Sequence, residues 1–341
     1  MKKIFLTVVA ITVCSVAMAQ SAKECLEKAK ECFNSNKIPE AVQWVRKGAE
    51  QGDAEGQFYL AACYERGNGV PQDFAEAAKW YRKAADQGHV YAQSALGSYY
   101  YAGCGVEKNI TEALNLMLKA ADKGFPQAQY NLGVYYMETS NYAEALKWTK
   151  KAADQGYVNA YYNMACLYDE GHGVTPDLTE ALKWYRMAAE QGHLMAIHNI
   201  GSFYLNGKGV TQDYTEAVKW FRKAADQGFP ESQFNMGVSY EIGNGVTQDY
   251  AEAVKWYRKA AEQGHIFAQN NLGMCYKQGH GVPQNFAEAV KWFRLAAERG
   301  LSIAQGNMGN CYKNGEGVPK DQAEAEKWYR LADESRARER K

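Results

Sequence analysis

The feature that most restricts the fold of this sequence is a 36-residue period marked by its tryptophans. The eight tryptophans lie 36, 68, 36, 36, 36, 36 and 36 residues apart: Trp44, Trp80, Trp148, Trp184, Trp220, Trp256, Trp292 and Trp328. The long gap arises because Leu116 replaces one tryptophan and the block 125–156 lacks four residues. A fixed period of this length indicates an array of stacked units, since one unit alone cannot bury its apolar face.

The first half of each period has the spacing of an α-helix. We number positions from Phe229, the first residue of the block 229–264. Position 8 is a large aliphatic residue or methionine and position 12 is always tyrosine; with position 4 they form one helical stripe. Position 9 is always glycine or alanine. A glycine inside a helix costs about 1 kcal/mol, so its recurrence predicts a close approach of two helices.

The second half of each period is predicted to form another helix after a glycine turn. Gly243 and Gly245 allow a positive φ at the turn, and Asp249 can accept hydrogen bonds from free N–H groups at the next helix. That helix ends at Gly264. Its predicted buried face comprises Tyr250, Ala253, Trp256, Tyr257 and Ala260.

The pattern LGxxYxxGxGVxxDxxEAxKWxxKAAxxG resembles the Sel1-like repeat, a relative of the tetratricopeptide repeat. The resemblance implies an all-α, right-handed α-solenoid of helix–turn–helix units. Eight blocks cover more than four-fifths of the chain: 53–88, 89–124, 125–156, 157–192, 193–228, 229–264, 265–300 and 301–336. The block 125–156 departs from the pattern because residues 137–141 form a shorter loop than the GxGV turn.

The N-terminus has the pattern of a secretory signal peptide, assigned to residues 1–19. Met1–Lys3 is basic, Ile4–Val16 is mostly apolar and Ala17–Ala19 offers an A-x-A cleavage site. The apolar run is shorter than the ~20 residues of a membrane span. We therefore expect an exported protein, periplasmic or secreted, without a transmembrane span after cleavage. An uncleaved anchor, or lipid attachment at Cys14, is the less favoured alternative.

Two shorter segments flank the repeats. Residues 20–52 match the second helix of a block in their second half and are interpreted as an N-terminal cap or partial repeat. Residues 337–341 form a basic tail, interpreted as solvated rather than as a nucleic-acid site. The chain has 39 basic and 39 acidic side chains, and loss of Lys2 and Lys3 with the signal leaves a net charge of −2. No basic stripe indicates nucleic-acid binding.

The positions of the cysteines and histidines follow the repeat, and their spacing indicates neither a set of disulfides nor a metal site. Cleavage would leave seven cysteines. Cys275 and Cys311 share position 11 of adjacent blocks, about 8–10 Å apart for stacked helices, whereas a disulfide requires Cα atoms within about 7 Å. We predict mostly free, buried thiols, with Cys104 in a turn the most exposed. The six histidines are expected to serve turns and helix caps, so no metal or cofactor is predicted.

Sequence signatures of catalysis are missing. The chain contains no S-x-x-K, H-E-x-x-H, P-loop or G-x-S-x-G motif, so we predict that it is not an enzyme. Some secreted, cysteine-rich Sel1 proteins have been labelled β-lactamases. The resemblance therefore leaves one alternative, a cell-envelope enzyme or ligand-binder acting on β-lactams or peptidoglycan fragments. A weaker alternative is a secreted effector that acts on a host.

The best functional signal is an aromatic face on the first helices. Positions 3, 6, 10 and 13 fall within about 80° of one another on a helical wheel. By resemblance to tetratricopeptide arrays, this face lines a concave groove. The predicted protein-binding residues are Phe58, Tyr91, Tyr101, Tyr130, Met137, Tyr162, Met195, Phe234 and Phe267. Tyrosine and methionine suit recognition because they offer large, adaptable contacts. The alternative is that these side chains pack between adjacent first helices.

A second repeated residue has two interpretations. Position 7 is asparagine in six blocks: 131, 163, 199, 235, 271 and 307. The residues could hydrogen-bond an extended peptide, or they could bond to the neighbouring block, which we favour. Taken together, the sequence predicts an exported, non-enzymatic scaffold, expected to be a monomer, that binds a protein or peptide of unknown identity in its groove.

Overall fold

The computed structural model describes residues 21–339, which form eighteen α-helices and no strand. The predicted signal peptide lies outside the described residues. The chain divides into two compact units, 1–160 and 161–341. Odd-numbered helices are the first helix of each repeat and even-numbered helices are the second.

The described part of unit 1 consists of four helical hairpins and the start of α9. Among α1 to α8, each helix packs against the helix before it and the helix after it. The helices are α1 (Ala22–Asn34), α2 (Ile38–Glu50), α3 (Ala54–Arg66), α4 (Phe74–Asp86), α5 (Val90–Ala102), α6 (Ile110–Asp122), α7 (Pro126–Glu138) and α8 (Tyr142–Ala153). The three-residue loop between α7 and α8 confirms the shorter connection predicted for this repeat.

Unit 2 contains most of α9, its partner helix α10 and four further helical hairpins in the same alternation. They are α9 (Val158–Glu170), α10 (Leu178–Glu190), α11 (Leu194–Asn206), α12 (Tyr214–Ala225), α13 (Pro230–Ile242), α14 (Tyr250–Glu262), α15 (Ile266–Gln278), α16 (Phe286–Glu298), α17 (Ser302–Asn314) and α18 (Gln322–Glu339). The described part of the predicted basic tail, 337–339, is helical because α18 continues through it.

The core of each hairpin includes a large residue at position 8 of the first helix and several alanines of the second helix. The position-8 side chains are all fully or almost fully buried: Leu60, Leu96, Leu132, Met164, Ile200, Met236, Leu272 and Met308. Alanines such as Ala253 and Ala260 are completely buried on the second helices. Small residues allow the helices to approach, and the large side chains then fill the space between them. The predicted core stripe at position 8 is thus confirmed.

The glycines at position 9 lie where the two helices of a hairpin meet, as predicted. A Cβ added to Gly201 would stand 2.7 Å from the ring of Phe221 and 3.2 Å from the carbonyl oxygen of Ala217. A Cβ added to Gly309 would likewise stand 2.5 Å from the ring of Tyr329. The glycine therefore makes room for an aromatic ring from the second helix as well as for its backbone.

Polar caps and glycine turns define the helix ends. The carboxylate of Asp249 accepts a hydrogen bond from the Glu252 N–H at 3.0 Å, confirming the predicted cap. At the preceding turn Gly243 has φ +85°. Gly245 has φ +73°, and an added Cβ would lie 2.1 Å from the carbonyl oxygen of Tyr214. The second turn glycine is therefore required both by its conformation and by the packing of the turn on the preceding repeat.

The position-12 tyrosines are only half-buried, because their hydroxyl groups reach the preceding repeat. Six of the eight accept a hydrogen bond from an arginine eighteen residues earlier: Arg46 to Tyr64 at 2.8 Å, Arg82 to Tyr100 at 2.6 Å, Arg186 to Tyr204 at 2.8 Å, Arg222 to Tyr240 at 2.6 Å, Arg294 to Tyr312 at 3.1 Å, and Arg258 to Tyr276. The other two, Tyr136 and Tyr168, have Leu118 and Lys150 at the corresponding place. Tyr250 was also predicted to be buried, and this is wrong. Its ring is half-buried and lies 4.8 Å from that of His280 in the next turn.

Within residues 21–339, no helix combines the length and the apolar character needed to cross a bilayer.

Candidate functional site

A continuous groove runs along the first helices of unit 1. It consists of four neighbouring depressions with volumes of about 310, 230, 420 and 310 Å³. Consecutive depressions share lining residues: Phe33 and Tyr59, then Ala62 and Arg66, then Ser98 and Asn131. We call this surface, from Leu26 on α1 to Tyr135 on α7, the first-helix groove.

The α1 end of the groove is mainly apolar. Its first depression is lined by Leu26, Phe33, Val45 and Tyr59, with Lys30 at its edge. The second depression keeps Phe33 and Tyr59 and adds a cationic residue, Arg66. Both depressions lie between the first helices, in the opening hairpin and the repeat that follows it.

The central depression contains the most exposed aromatic side chain of the groove. Tyr91 is 56% exposed, and its ring centroid lies 4.7 Å from that of Phe125 in an edge-on arrangement. Phe58, in the same depression, is half-buried and stacks on His89 at 4.9 Å. The contacts around Tyr91 hold its side chain, while much of its surface stays open to solvent.

The α7 end of the groove is again aromatic. Tyr101, Tyr130 and Tyr135 line the fourth depression together with Met117. The Tyr101 hydroxyl donates a hydrogen bond to Glu138, and this bond is the main reason that the pKa of Tyr101 is raised to about 12. Tyr101 therefore keeps its proton at neutral pH and presents a neutral ring to the groove.

Four of the five residues predicted for unit 1 line the groove. Phe58 and Tyr91 lie in the central depression, and Tyr101 and Tyr130 lie in the fourth. Met137 is half-buried on α7 and lies outside the lining of these depressions. The structure thus brings together most of the predicted residues of this unit, at the N-terminal end of the repeats.

In unit 2 the predicted residues behave in two ways. At position 3, Met195 is 41% and Phe267 is 48% exposed. At position 6, Tyr162 and Phe234 are half-buried and stack on the imidazole rings that begin the next repeats, at 4.7 Å from His193 and His265 respectively. These two position-6 side chains pack on the next repeat in the same way as Phe58 packs on His89 in unit 1, whereas the two position-3 side chains are exposed.

Comparison with known families identifies the repeat. The Sel1 repeat model matches residues 35–53, 54–89, 90–125, 126–157, 158–193, 194–229, 230–265, 266–301 and 302–332. The chain belongs to the Sel1 repeat family. The matched segments number nine because the second half of the opening hairpin is counted as a partial repeat.

Two solved Sel1-type structures resemble the whole chain. A protective antigen of uropathogenic Escherichia coli, described as displaying an SLR fold, is 33% identical, with a TM-score of 0.68 over 92% of this chain and 76% of that one. A Sel1 repeat protein from Oxalobacter formigenes is 34% identical, with a TM-score of 0.66 over 83% of this chain and 84% of that one. No curated protein matched the sequence. Sel1 repeat proteins generally act as scaffolds for protein–protein interaction.

Several groove residues of this Sel1 protein were not predicted from the sequence. Phe33 lies in the opening hairpin, to which the repeat numbering was not extended. Tyr59 occupies position 7, and its departure from the usual asparagine was the signal that could have revealed it. Arg66 follows position 13 and lies outside the positions of the predicted aromatic face. In unit 2, Ile303 occupies position 3 and is 57% exposed, so the pattern of Met195 and Phe267 extends to it.

Most of the contacts of the position-7 asparagines of the Sel1 repeats are to the preceding repeat. The Asn131 amide donates to the Ser98 hydroxyl at 3.2 Å, and the Asn271 amide donates to the Tyr257 hydroxyl at 3.2 Å. Asn307 donates to the Asn270 side chain at 2.9 Å. These bonds support the structural interpretation of the ladder. Asn131 nevertheless remains half-buried in the groove.

The histidines and thiols of the described residues offer little chemistry. His89, His193 and His265 cap their helices through Nδ1, and burial lowers the pKa of each. Burial raises the pKa of the buried Cys275 thiol to about 12. Six free thiols are Cys32, Cys63, Cys104, Cys166, Cys275 and Cys311, of which three are buried and three are half-buried. Residues 21–339 contain no cluster of three or more side chains able to hold a metal.

Proposed function

We propose that this Sel1 repeat protein is an exported scaffold that binds an extended segment of another protein in the first-helix groove. The observation that carries the proposal is the continuous, aromatic-lined groove of unit 1 with Tyr91 exposed at its centre. The general role of the family supports the same conclusion. Export is supported by the basic, apolar and A-x-A pattern of residues 1–19.

The groove suits an extended protein segment because its recognition surface is held in place before binding. Phe58 is stacked on His89, and the Tyr101 hydroxyl is bonded to Glu138. Binding then immobilises few additional side chains of the scaffold, which lowers the entropic cost of association. Tyrosine rings supply large contact areas with a polar end, as is common at interfaces.

Site-specific photocrosslinking tests this proposal directly. A photoreactive amino acid is placed at Tyr91 or Tyr59 in the groove, or at Tyr214, a partly exposed tyrosine at the start of a second helix. The proposal predicts that the two groove positions capture the same protein from an envelope extract and that the Tyr214 position does not. Equal capture from all three positions would contradict binding in the groove.

The same preparation tests the alternative of an envelope enzyme. A scaffold should hydrolyse a chromogenic β-lactam no faster than buffer. Hydrolysis by the purified protein well above the buffer rate would contradict the non-enzymatic part of the proposal.

A further inference from the structure

We infer that the segment bound in the first-helix groove carries an acidic side chain between two large apolar ones, and that Arg66 binds its carboxylate. The inference rests on the proposed function and adds the chemistry of the partner. It follows from one cationic residue and from the apolar depressions on either side of it.

Arg66 is the exposed cation at the junction of two depressions. It is the last residue of α3, and it lines both the second and the central depression. Among residues 21–339 it has no ion-pair partner. Arginine binds carboxylates through paired N–H groups, so an unpaired guanidinium in a groove favours an acidic ligand.

The other charged residues of the groove lining already have partners. Lys30 forms an ion pair with Glu27 at 3.1 Å. The Glu65 carboxylate accepts a hydrogen bond from the Tyr81 hydroxyl at 2.7 Å. Arg66 is therefore the charge that a ligand can complement without displacing a partner.

Large apolar side chains flank Arg66 on both sides. Phe33 and Tyr59 line the depression toward α1, and Phe58 and Tyr91 line the depression toward α7. Ala62 lines both depressions, and its small side chain leaves room for a chain to pass between them. A segment that follows the groove would thus place one apolar side chain on each side of Arg66 and an acidic one beside it.

Three labelled peptides of the same length test the inference by fluorescence anisotropy. Each has two phenylalanines, with aspartate, asparagine or lysine between them, and each is titrated with the purified full chain. We expect the aspartate peptide to bind at least tenfold more tightly than the lysine peptide. Arg66→Gln should remove this preference, Arg66→Lys should retain part of it and Arg66→Glu should reverse it. High salt should weaken it, because exposed charges are screened.

Lys119→Gln is the matched control. Lys119 is an exposed cation in the last turn of α6, outside the groove lining. Lys119→Gln therefore removes one positive charge from the C-terminal end of a helix, as Arg66→Gln does, without changing the groove. It should leave the aspartate preference unchanged. Thermal unfolding of each variant shows whether Arg66 acts only through the stability of α3. A loss of preference in Arg66→Gln without a loss of stability supports the inference.

The remaining outcomes separate the two proposals. Equal binding of the three peptides that is lost in Tyr91→Ala would overturn the acidic preference and leave the groove as the binding site. No binding of any peptide would overturn both. A dimer of the free protein that Arg66→Glu dissociates would assign the groove to a second copy of the chain and overturn the inference.

Discussion

The size of the residue at position 9 controls how closely the two helices of a hairpin can approach each other. Glycine at position 9 faces an aromatic ring of the second helix, as between Gly309 and Tyr329. The same helix, α17, contains a second glycine, Gly306, for which the nearest neighbour of an added Cβ is an Arg336 nitrogen at 3.7 Å. The two sites differ in packing but share a helix, so they isolate the steric effect.

Alanine substitutions at these two glycines should have opposite effects. Gly309→Ala should destabilise the protein by about 1–3 kcal/mol, because the methyl group has no room beside the Tyr329 ring. Gly306→Ala should be neutral or stabilising by up to about 1 kcal/mol, since alanine favours the helix. Urea unfolding of both variants measures the difference. Equal destabilisation would show that the ring does not set the spacing.

The capping histidines predict a fall of stability in mild acid. The His265 Nδ1 accepts the Ala268 N–H at 3.2 Å, which a protonated Nδ1 cannot do. Burial lowers its pKa, Glu231 opposes this and Arg299 adds to it. Because the folded-state pKa lies below the unfolded value near ~6.5, this stability is present above that value and is lost as pH falls through the folded pKa.

We therefore expect His265→Asn to reduce the loss of stability between pH 7 and pH 5, because asparagine caps a helix without titrating in this range. The helix cap that the asparagine keeps in acid contributes about 1 kcal/mol to the free energy of unfolding. His280→Asn, which removes an exposed histidine from a turn, should leave the pH dependence as it was. Melting temperatures across this pH range give the comparison, and identical slopes for the two variants would refute the role of the cap.

Individual residues were predictable where local geometry dictates them. The cap at Asp249 and the close approach at Gly201 follow from helix ends and helix spacing, and the structure confirms both. The half-burial of Tyr250 did not follow, because it depends on where the next turn places His280. The periodicity of a single helix contains no information about that contact.

Adjacent elements are joined by the arginine–tyrosine bonds between repeats. The Arg222 guanidinium donates to the Tyr240 hydroxyl at 2.6 Å, and it also lies 5.8 Å from the Trp256 ring. A repeat array gains its stability from such interfaces between neighbours as well as from each hairpin. The bond recurs in both units and gives most position-12 tyrosines a polar contact with the preceding repeat.

A double-mutant cycle should detect this bond. Tyr240→Phe and Arg222→Ala should each destabilise the protein, and their coupling should be about 1.5 kcal/mol, the lower end for a hydrogen bond to a charged group because the pair is only half-buried. The exposed pair of Lys219 and Glu216 serves as a control, and its coupling should be much weaker because water screens it. Additive effects of Tyr240→Phe and Arg222→Ala would mean that the bond contributes nothing to the interface.

At the scale of elements, the sequence predicted the helices of each hairpin better than the contacts between neighbouring repeats. Helix ends followed from glycine and aspartate signals, and the shorter loop after α7 followed from the missing GxGV turn. The bond between Arg222 and Tyr240 was not predicted, since the two residues lie eighteen positions apart and belong to different repeats. Such pairs depend on the stacking of repeats, which local patterns do not specify.

At the scale of the whole molecule, the function depends on surfaces that several repeats build together. The sequence predicted an aromatic face on the first helices that begins at Phe58 and ends at Phe267. In unit 1 the groove begins earlier, because Phe33 and Tyr59 extend it into the opening hairpin. Phe234, predicted to contact a ligand, is half-buried because it packs on the next repeat. Which aromatic residues stay accessible is decided by the neighbouring repeat.

The most direct test of the account is the affinity of the protein for the partner captured at Tyr91, measured for Tyr91→Ala and Tyr214→Ala. Truncating an aromatic side chain at the centre of an interface commonly costs about 2 kcal/mol, or more than tenfold in Kd. The account predicts a loss of this size for Tyr91→Ala, with unchanged melting temperature, and wild-type affinity for Tyr214→Ala. Wild-type affinity of Tyr91→Ala, or an equal loss in both variants, would contradict binding in the first-helix groove.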